Sequence, residues 1–127
     1  MAQAREYSSL IGVDMPSLPT DLPDCGVGKL RTRRNINGAP FSFKVEDFVG
    51  FPTMDGKKFI CLQKIQHTAP KPASEYRFAY YMVGVKPGAK GRWVFGQFAL
   101  LLSEPELKRL LRMAAKKWPD FSKVLPN

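Results

Sequence analysis

The clearest pattern in the chain is a helical one near the C-terminus. Leu107, Leu110, Leu111, Ala114 and Trp118 fall on one stripe at about 100° per residue. Lys108, Arg109, Arg112 and Lys116 take the opposite side. Ser103-Glu104-Pro105-Glu106 ahead of the stripe has the form of a capping box, with Ser at the N-cap, Glu three residues on and Pro in the first turn. Pro119 closes the helix.

Upstream of the helix the period falls to two. Phe41, Phe43 and Val45 alternate with Ser42, Lys44 and Glu46, the mark of a half-buried strand. Residues 30–35 read as a strand ending at the turn Asn37-Gly38, and Asp55-Gly56 marks a turn before a strand over 58–68. Pro70 and Pro72 break the chain. The next strand, over 75–86, carries Tyr76, Phe78 and Tyr80 on one face and Arg77, Ala79, Tyr81 and Val83 on the other. The turn-rich connector Pro87-Gly88-Ala89-Lys90-Gly91 joins it to a last strand over 92–102, giving the best-supported hairpin. The expected fold is α+β: an antiparallel sheet of four to five strands followed by one C-terminal amphipathic helix.

Residues 1–28 differ in texture. Pro16, Pro19 and Pro23 favour an extended arm short of ladder bonds, which Leu10, Ile11, Val13, Leu18 and Leu22 could pin to the body. Residues 29–127 then form a single basic α+β domain, as 127 residues leave no room for two ordinary cores.

Charge sharpens this division. Twenty Lys and Arg against eleven Asp and Glu give a net charge of +9. Residues 1–28 hold one base and four acids, a net of −3, whereas residues 29–127 hold nineteen bases and seven acids, a net of +12. Such a body attracts polyanions over about 8 Å, roughly one Debye length.

Chemistry beyond charge is sparse. The chain has one histidine, His67, so a His-rich metal site is excluded and no metal or cofactor is expected. General base work by His67 needs an orienting acid, and the sequence proposes none. Glu46 and Asp47 are adjacent, which in a strand sends them to opposite faces. No phosphate loop leads into a helix and no nucleophile elbow is present, so no catalytic residue is assigned and a non-enzyme is expected. Cys25 and Cys61 lack CxxC spacing; a disulfide between them is not required, and a reducing cytoplasm is the simpler setting. No stretch approaches the roughly 18 apolar residues of a membrane span.

Three constellations remain. Lys86, Lys90 and Arg92 surround glycines whose backbone N–H groups could approach an anion. Gly88-Ala89-Lys90-Gly91 matches the bare GxxG pattern of KH domains, but that loop joins two helices whereas strands flank this one. Lys29-Leu30-Arg31-Thr32-Arg33-Arg34 puts Arg31 and Arg33 on one strand face, suited to phosphates or else guarding a sheet edge. Aromatic residues interleave with bases: Phe41, Phe43 and Lys44; Tyr76, Arg77, Phe78, Tyr80 and Tyr81; Arg92, Trp93, Phe95 and Phe98. About two thirds of these rings are expected in the core, and the others need the arm, a second subunit or a ligand as cover.

Element order resembles the single-stranded-DNA-binding domains of transcriptional coactivator and Whirly type, a likeness of order without a shared motif. The expected function is non-catalytic nucleic-acid binding, DNA or RNA, with weak sequence preference, single-stranded or backbone-directed. Arg31, Arg33, Arg34, Lys86, Lys90 and Arg92 would meet phosphates, and Tyr76, Tyr81 or Trp93 would stack on bases. The alternative is a protein-interaction module, a small inhibitor or adaptor, whose basic surface meets an acidic partner. A homodimer is compatible with either.

Overall fold

A computed structural model describes residues 23–88 and 90–124. The expected arm contacts of Leu10, Ile11, Val13, Leu18 and Leu22 lie outside those residues. The strands are β1 (Leu30–Arg34), β2 (Pro40–Pro52), β3 (Lys58–Ala69), β4 (Ala73–Val83) and β5 (Trp93–Phe95). Helix α1 (Glu104–Lys117) and a 3-10 helix (Pro119–Lys123) follow. The strands form one antiparallel sheet in sequential order, β1-β2-β3-β4-β5, so the fold is the α+β arrangement that the periodicities predict.

Each early turn is built by its polar residue. Asn35 Oδ1 accepts from the N–H groups of Asn37 and Ala39, while Gly38 N–H donates to the Asn35 carbonyl at 2.9 Å. Asp55 Oδ1 accepts from Thr53 Oγ1 at 2.7 Å and from Lys57 N–H at 3.0 Å, which lowers the Asp55 pKa. Just before β1, the N–H of Gly28 donates to the Val45 carbonyl, tying residues 24–28 to β2.

The described residues form two compact units, and β2, β3 and β4 each run through both. The helix unit contains residues 24–49, 62–78 and 102 onward. Leu110, Ala114 and Trp118 are buried and Arg112 is exposed, as the stripe predicts, and Phe121 in the 3-10 helix is buried as well. Leu111 is only half-buried, and Leu107 is 36% exposed, so the stripe centres on Leu110. The capping box is complete: Glu106 N–H donates to Ser103 Oγ, and Ser103 N–H donates to the Glu106 carboxylate.

The helix end is fixed from β2. Asp47 Oδ2 accepts from Trp118 Nε1 at 2.9 Å, and its Oδ1 accepts from Lys117 Nζ at 2.9 Å and from Phe48 N–H at 2.8 Å. The Trp118 ring lies 6.0 Å from Tyr76 and 6.1 Å from Phe121, a cluster of three.

The other unit contains residues 50–61 and 79–101. Phe51, Phe59, Ile60, Cys61, Ala79 and Tyr80 form its buried set, and Cys61 Sγ donates to the Ala79 carbonyl at 3.5 Å. Cys25 and Cys61 are both free and buried.

Two expectations need correction. The last strand does not extend to residue 102 but ends at Phe95. At Gly96 the backbone passes so close to the buried Tyr80 that a Cβ would not clear its ring. Gly96 N–H donates to the Tyr80 carbonyl, Phe98 N–H donates to the Tyr80 hydroxyl at 3.1 Å in place of a ladder carbonyl, and no strand follows among the described residues. Nor are two thirds of the interleaved rings in the core: only Phe43 and Tyr80 are buried. Trp93 and Phe95 sit on the last strand and Phe98 beyond it, where fewer neighbours can cover a ring.

Gly96→Ala should therefore lower stability by about 1–3 kcal/mol, the usual cost of overpacking, read as a fall in the denaturant midpoint. A neutral substitution would show that the chain does not cross Tyr80 so closely. A second expectation concerns pH. Burial by itself raises the Asp47 pKa, but bonds from Trp118, Lys117 and Phe48 outweigh it and leave the pKa below 3.8. A lowered folded-state pKa contributes stability above the unfolded value and loses it as pH falls through the folded one. Asp47→Asn should cost about 1 kcal/mol at neutral pH, screened by solvent, and the gap to wild type should close in strong acid. A gap that persists there would exclude the carboxylate charge as its source.

Candidate functional site

Register assembles a site that neither β1 nor β2 shows alone. Arg31 lies opposite Phe43 and Arg33 opposite Phe41 in the β1–β2 pair. Directly opposed residues project to the same side of a sheet, so two guanidiniums and two rings share one face. The Phe41 and Phe43 rings stack at 6.1 Å with 20° between their planes. His67 on β3 adds a third ring, 6.0 Å from Phe41 and 5.9 Å from Phe43. Arg77 on β4 sets its guanidinium carbon 5.5 Å from the Phe43 centroid.

Neighbouring groups hold these side chains in place. Arg77 Nε donates to Oε1 of the fully buried Gln63 at 2.8 Å, which fixes the guanidinium over Phe43. The amide nitrogen of Gln63, Nε2, has no hydrogen-bond partner among the described residues. His67 Nε2 meets the Glu75 carboxylate, the orienting acid that the sequence did not reveal. Gly26 has φ 67°, and a Cβ there would lie 2.9 Å from Nη2 of Arg31, so a glycine lets the guanidinium pack against the turn. Arg33 donates to the Thr32 carbonyl and Arg34 to the Gly38 carbonyl, and both stay exposed.

Tyr76 has a different setting from the one its sequence position suggested. Its ring packs against Trp118 and Phe121, under the end of α1, and the face carrying Arg31 and Phe41 does not use it.

The second constellation belongs to the other unit. The 84–92 segment is closed by Gly84 N–H donating to the Arg92 carbonyl and by a bridge between Gly84 and Lys90. The Arg92 guanidinium donates back to the Gly88 carbonyl, so Arg92 braces the loop, while Lys86 and Lys90 are exposed. The flanking rings are half-buried: Trp93 meets Phe59 edge-on at 6.0 Å, and Tyr81 meets Phe95 edge-on at 5.4 Å. Arg31, Arg33 and Arg34 thus lie in the helix unit, and Lys86, Lys90, Arg92, Tyr81 and Trp93 in the other.

Among the described residues, none of these six bases pairs with an acid. Ion pairs there include those of Lys64, His67, Lys108, Lys117 and Lys123. No group of three or more His, Cys, Asp or Glu among the described residues could hold a metal ion. No described helix is long and apolar enough to cross a membrane.

Comparison with protein-family models, curated proteins and solved structures returns no match. The likeness in element order therefore lends no residue correspondences, and the site stands on its own geometry.

Taken singly, Phe41, Phe43, His67 and Arg77 give no sign that they meet on one face. The available signal was the period-two pattern of β2 set against the turn at Asn37-Gly38, which implies the Arg31–Phe43 register. Gln63→Leu tests the support beneath this face. It removes an unsatisfied buried donor and leaves Arg77 able to reach water, so stability should change by less than about 1 kcal/mol or rise. A loss above about 2 kcal/mol would mean that Nε2 has a partner after all.

Proposed function

We propose that this chain is a non-catalytic nucleic-acid-binding domain with weak sequence preference, directed at single strands. The observation that carries the reading is the shared face of Arg31 and Arg33 with Phe41, Phe43 and His67, bordered by Arg77. Guanidiniums offer fixed forks of donors to phosphate oxygens, and a ring beside them offers a π-face to an unpaired base. Phe41 is the ring best placed for this, being half-buried where Phe43 is covered. A duplex keeps its bases stacked and would use only the cations, so the rings favour single strands.

Lys86 and Lys90 supply a second basic element, with Arg92 holding their loop and Tyr81 and Trp93 beside it. Backbone contacts of this kind fix position without reading sequence, which accords with weak preference. The net charge of +9 draws the polyanion in from a distance.

Fluorescence anisotropy with single- and double-stranded DNA and RNA oligonucleotides tests the reading. Single strands should bind more tightly than duplexes, with affinity falling steeply as salt rises. Arg31→Ala with Arg33→Ala should flatten the log–log salt slope by about 0.7 per lost contact. Phe41→Leu keeps the apolar volume but removes the stacking face, and should weaken binding by about 1–3 kcal/mol with the slope unchanged. An acidic-protein ligand would show the same salt sensitivity, but a generic oligonucleotide would not displace it. Failure of every oligonucleotide to bind would refute the proposal in favour of that alternative.

A further inference from the structure

The face that carries the cations and the rings also carries an acid. Glu75 and Arg77 stand two positions apart on β4 and so project to the same side of the sheet, the side on which Arg77 lies over Phe43. The Glu75 carboxylate meets Nε2 of His67, whose ring packs against Phe41 and Phe43. The His67 side chain is 19% exposed and that of Glu75 64%, so the carboxylate reaches past a covered imidazole into solvent. One imidazole separates it from the Phe41 ring.

The backbone that carries Glu75 is held as well. Gln66 Nε2 donates to the carbonyls of His67 and Ala73 at 3.0 and 3.2 Å, and Ser74 Oγ donates to Gln66 Oε1 at 3.1 Å. These bonds tie the end of β3 to the start of β4. An acid in this place weakens the attraction of the face for phosphate, since like charges repel. An amide oxygen would orient His67 without that loss. What a carboxylate adds is two adjacent oxygens that accept hydrogen bonds and donate none.

We propose that Glu75 reads one base of the bound strand and selects guanine there, a choice that rests on the single-strand binding proposed for this face. The base edges decide the selection. On its Watson–Crick edge guanine sets two donors side by side, N1–H and the N2 amino group, which match the two oxygens of a carboxylate. Adenine and cytosine set one amino donor beside a ring-nitrogen acceptor, and thymine or uracil has one N–H between two carbonyls. Each of these turns an acceptor toward the second carboxylate oxygen, which repels it. Proteins that recognise single strands bond to such exposed edges while the base stacks on an aromatic ring, here Phe41. His67 is a positioning residue: its Nε2 holds one carboxylate oxygen, which keeps a second lone pair for the base. Because only one position is read, the sequence preference of the whole strand stays weak.

Fluorescence anisotropy on the full chain tests this with oligothymidine strands that carry one central substitution. The strand with deoxyguanosine should bind at least about fivefold more tightly than the unsubstituted one, the scale of a bidentate base contact. Deoxyadenosine, also a purine and so a similar stacking surface, should give no such gain. Deoxyinosine, which lacks the N2 amino group, should lose most of it. Glu75→Gln should abolish the gain yet bind the unsubstituted strand as tightly as wild type or more so, because a negative charge has left the face. His67→Phe keeps a ring on the platform but removes the Nε2 donor, and should shrink the guanosine-to-adenosine ratio. The inosine comparison uses wild type alone and so does not depend on a variant's folding. Equal affinity for the guanosine and adenosine strands, a full gain with inosine, or a gain that survives Glu75→Gln would each overturn the proposal and leave single-strand binding standing. Failure of every strand to bind would overturn both.

Discussion

One carboxylate on β2 determines where the helix comes to rest. Asp47 takes hydrogen bonds from the indole of Trp118, the ammonium of Lys117 and its neighbouring backbone amide. A carboxylate so supplied is held in one orientation, and each charge-assisted bond is stronger than a neutral one. Because Trp118 is both the last residue of the apolar stripe and the C-cap of α1, fixing it fixes the helix end. Phe121 in the following 3-10 helix then closes on Tyr76 at 5.3 Å, edge to face. The arrangement takes Tyr76 out of reach of any ligand on the opposite side of β4. It thereby leaves that side to Arg77.

Locally encoded features could be read from the sequence, and features set by non-local contacts could not. The capping box, the Phe41-Phe43-Val45 alternation and the polar turns depend on residues within a few positions of one another. β5 ends where residue 96 passes close to Tyr80, sixteen positions earlier, and the sequence carries no sign of that approach. The ring count failed for a related reason: alternation says which side a ring takes, but not whether anything lies over it. Among the site residues, Arg31 and Arg33 stood out as charge in a strand. Their setting beside Phe41, Phe43 and His67 emerges only with the register of the β1–β2 pair and the placement of β3. His67 could be dismissed as a lone histidine because Glu75 is brought to it only across the β3–β4 connection.

The support beneath the Arg31–Phe41 face bears on how it could act. Arg77 is tied to a buried glutamine and laid over Phe43, so its guanidinium arrives with its orientation already restricted. Ordering a long basic side chain at the moment of binding costs about 0.5–1.5 kcal/mol. A guanidinium held in advance avoids much of that loss. Arg33 and Arg34, bonded only to nearby carbonyls on an exposed strand, remain free to follow a mobile backbone. Held groups for position and loose groups for attraction suit a ligand whose phosphates are regularly spaced but whose path varies.

Charge is also placed unevenly along the order of strands. Guarding β1 with arginine prevents that edge from pairing with another strand and, in the same stroke, concentrates positive potential where Arg31 and Arg33 lie beside the rings. Keeping residues 93–103 free of charge does the reverse at β5, where apolar side chains can be desolvated without stripping water from an ammonium or a guanidinium. Segregation of charge along the order of strands is therefore the feature on which the proposed basic surface rests, and it follows from where the lysines and arginines fall in the sequence.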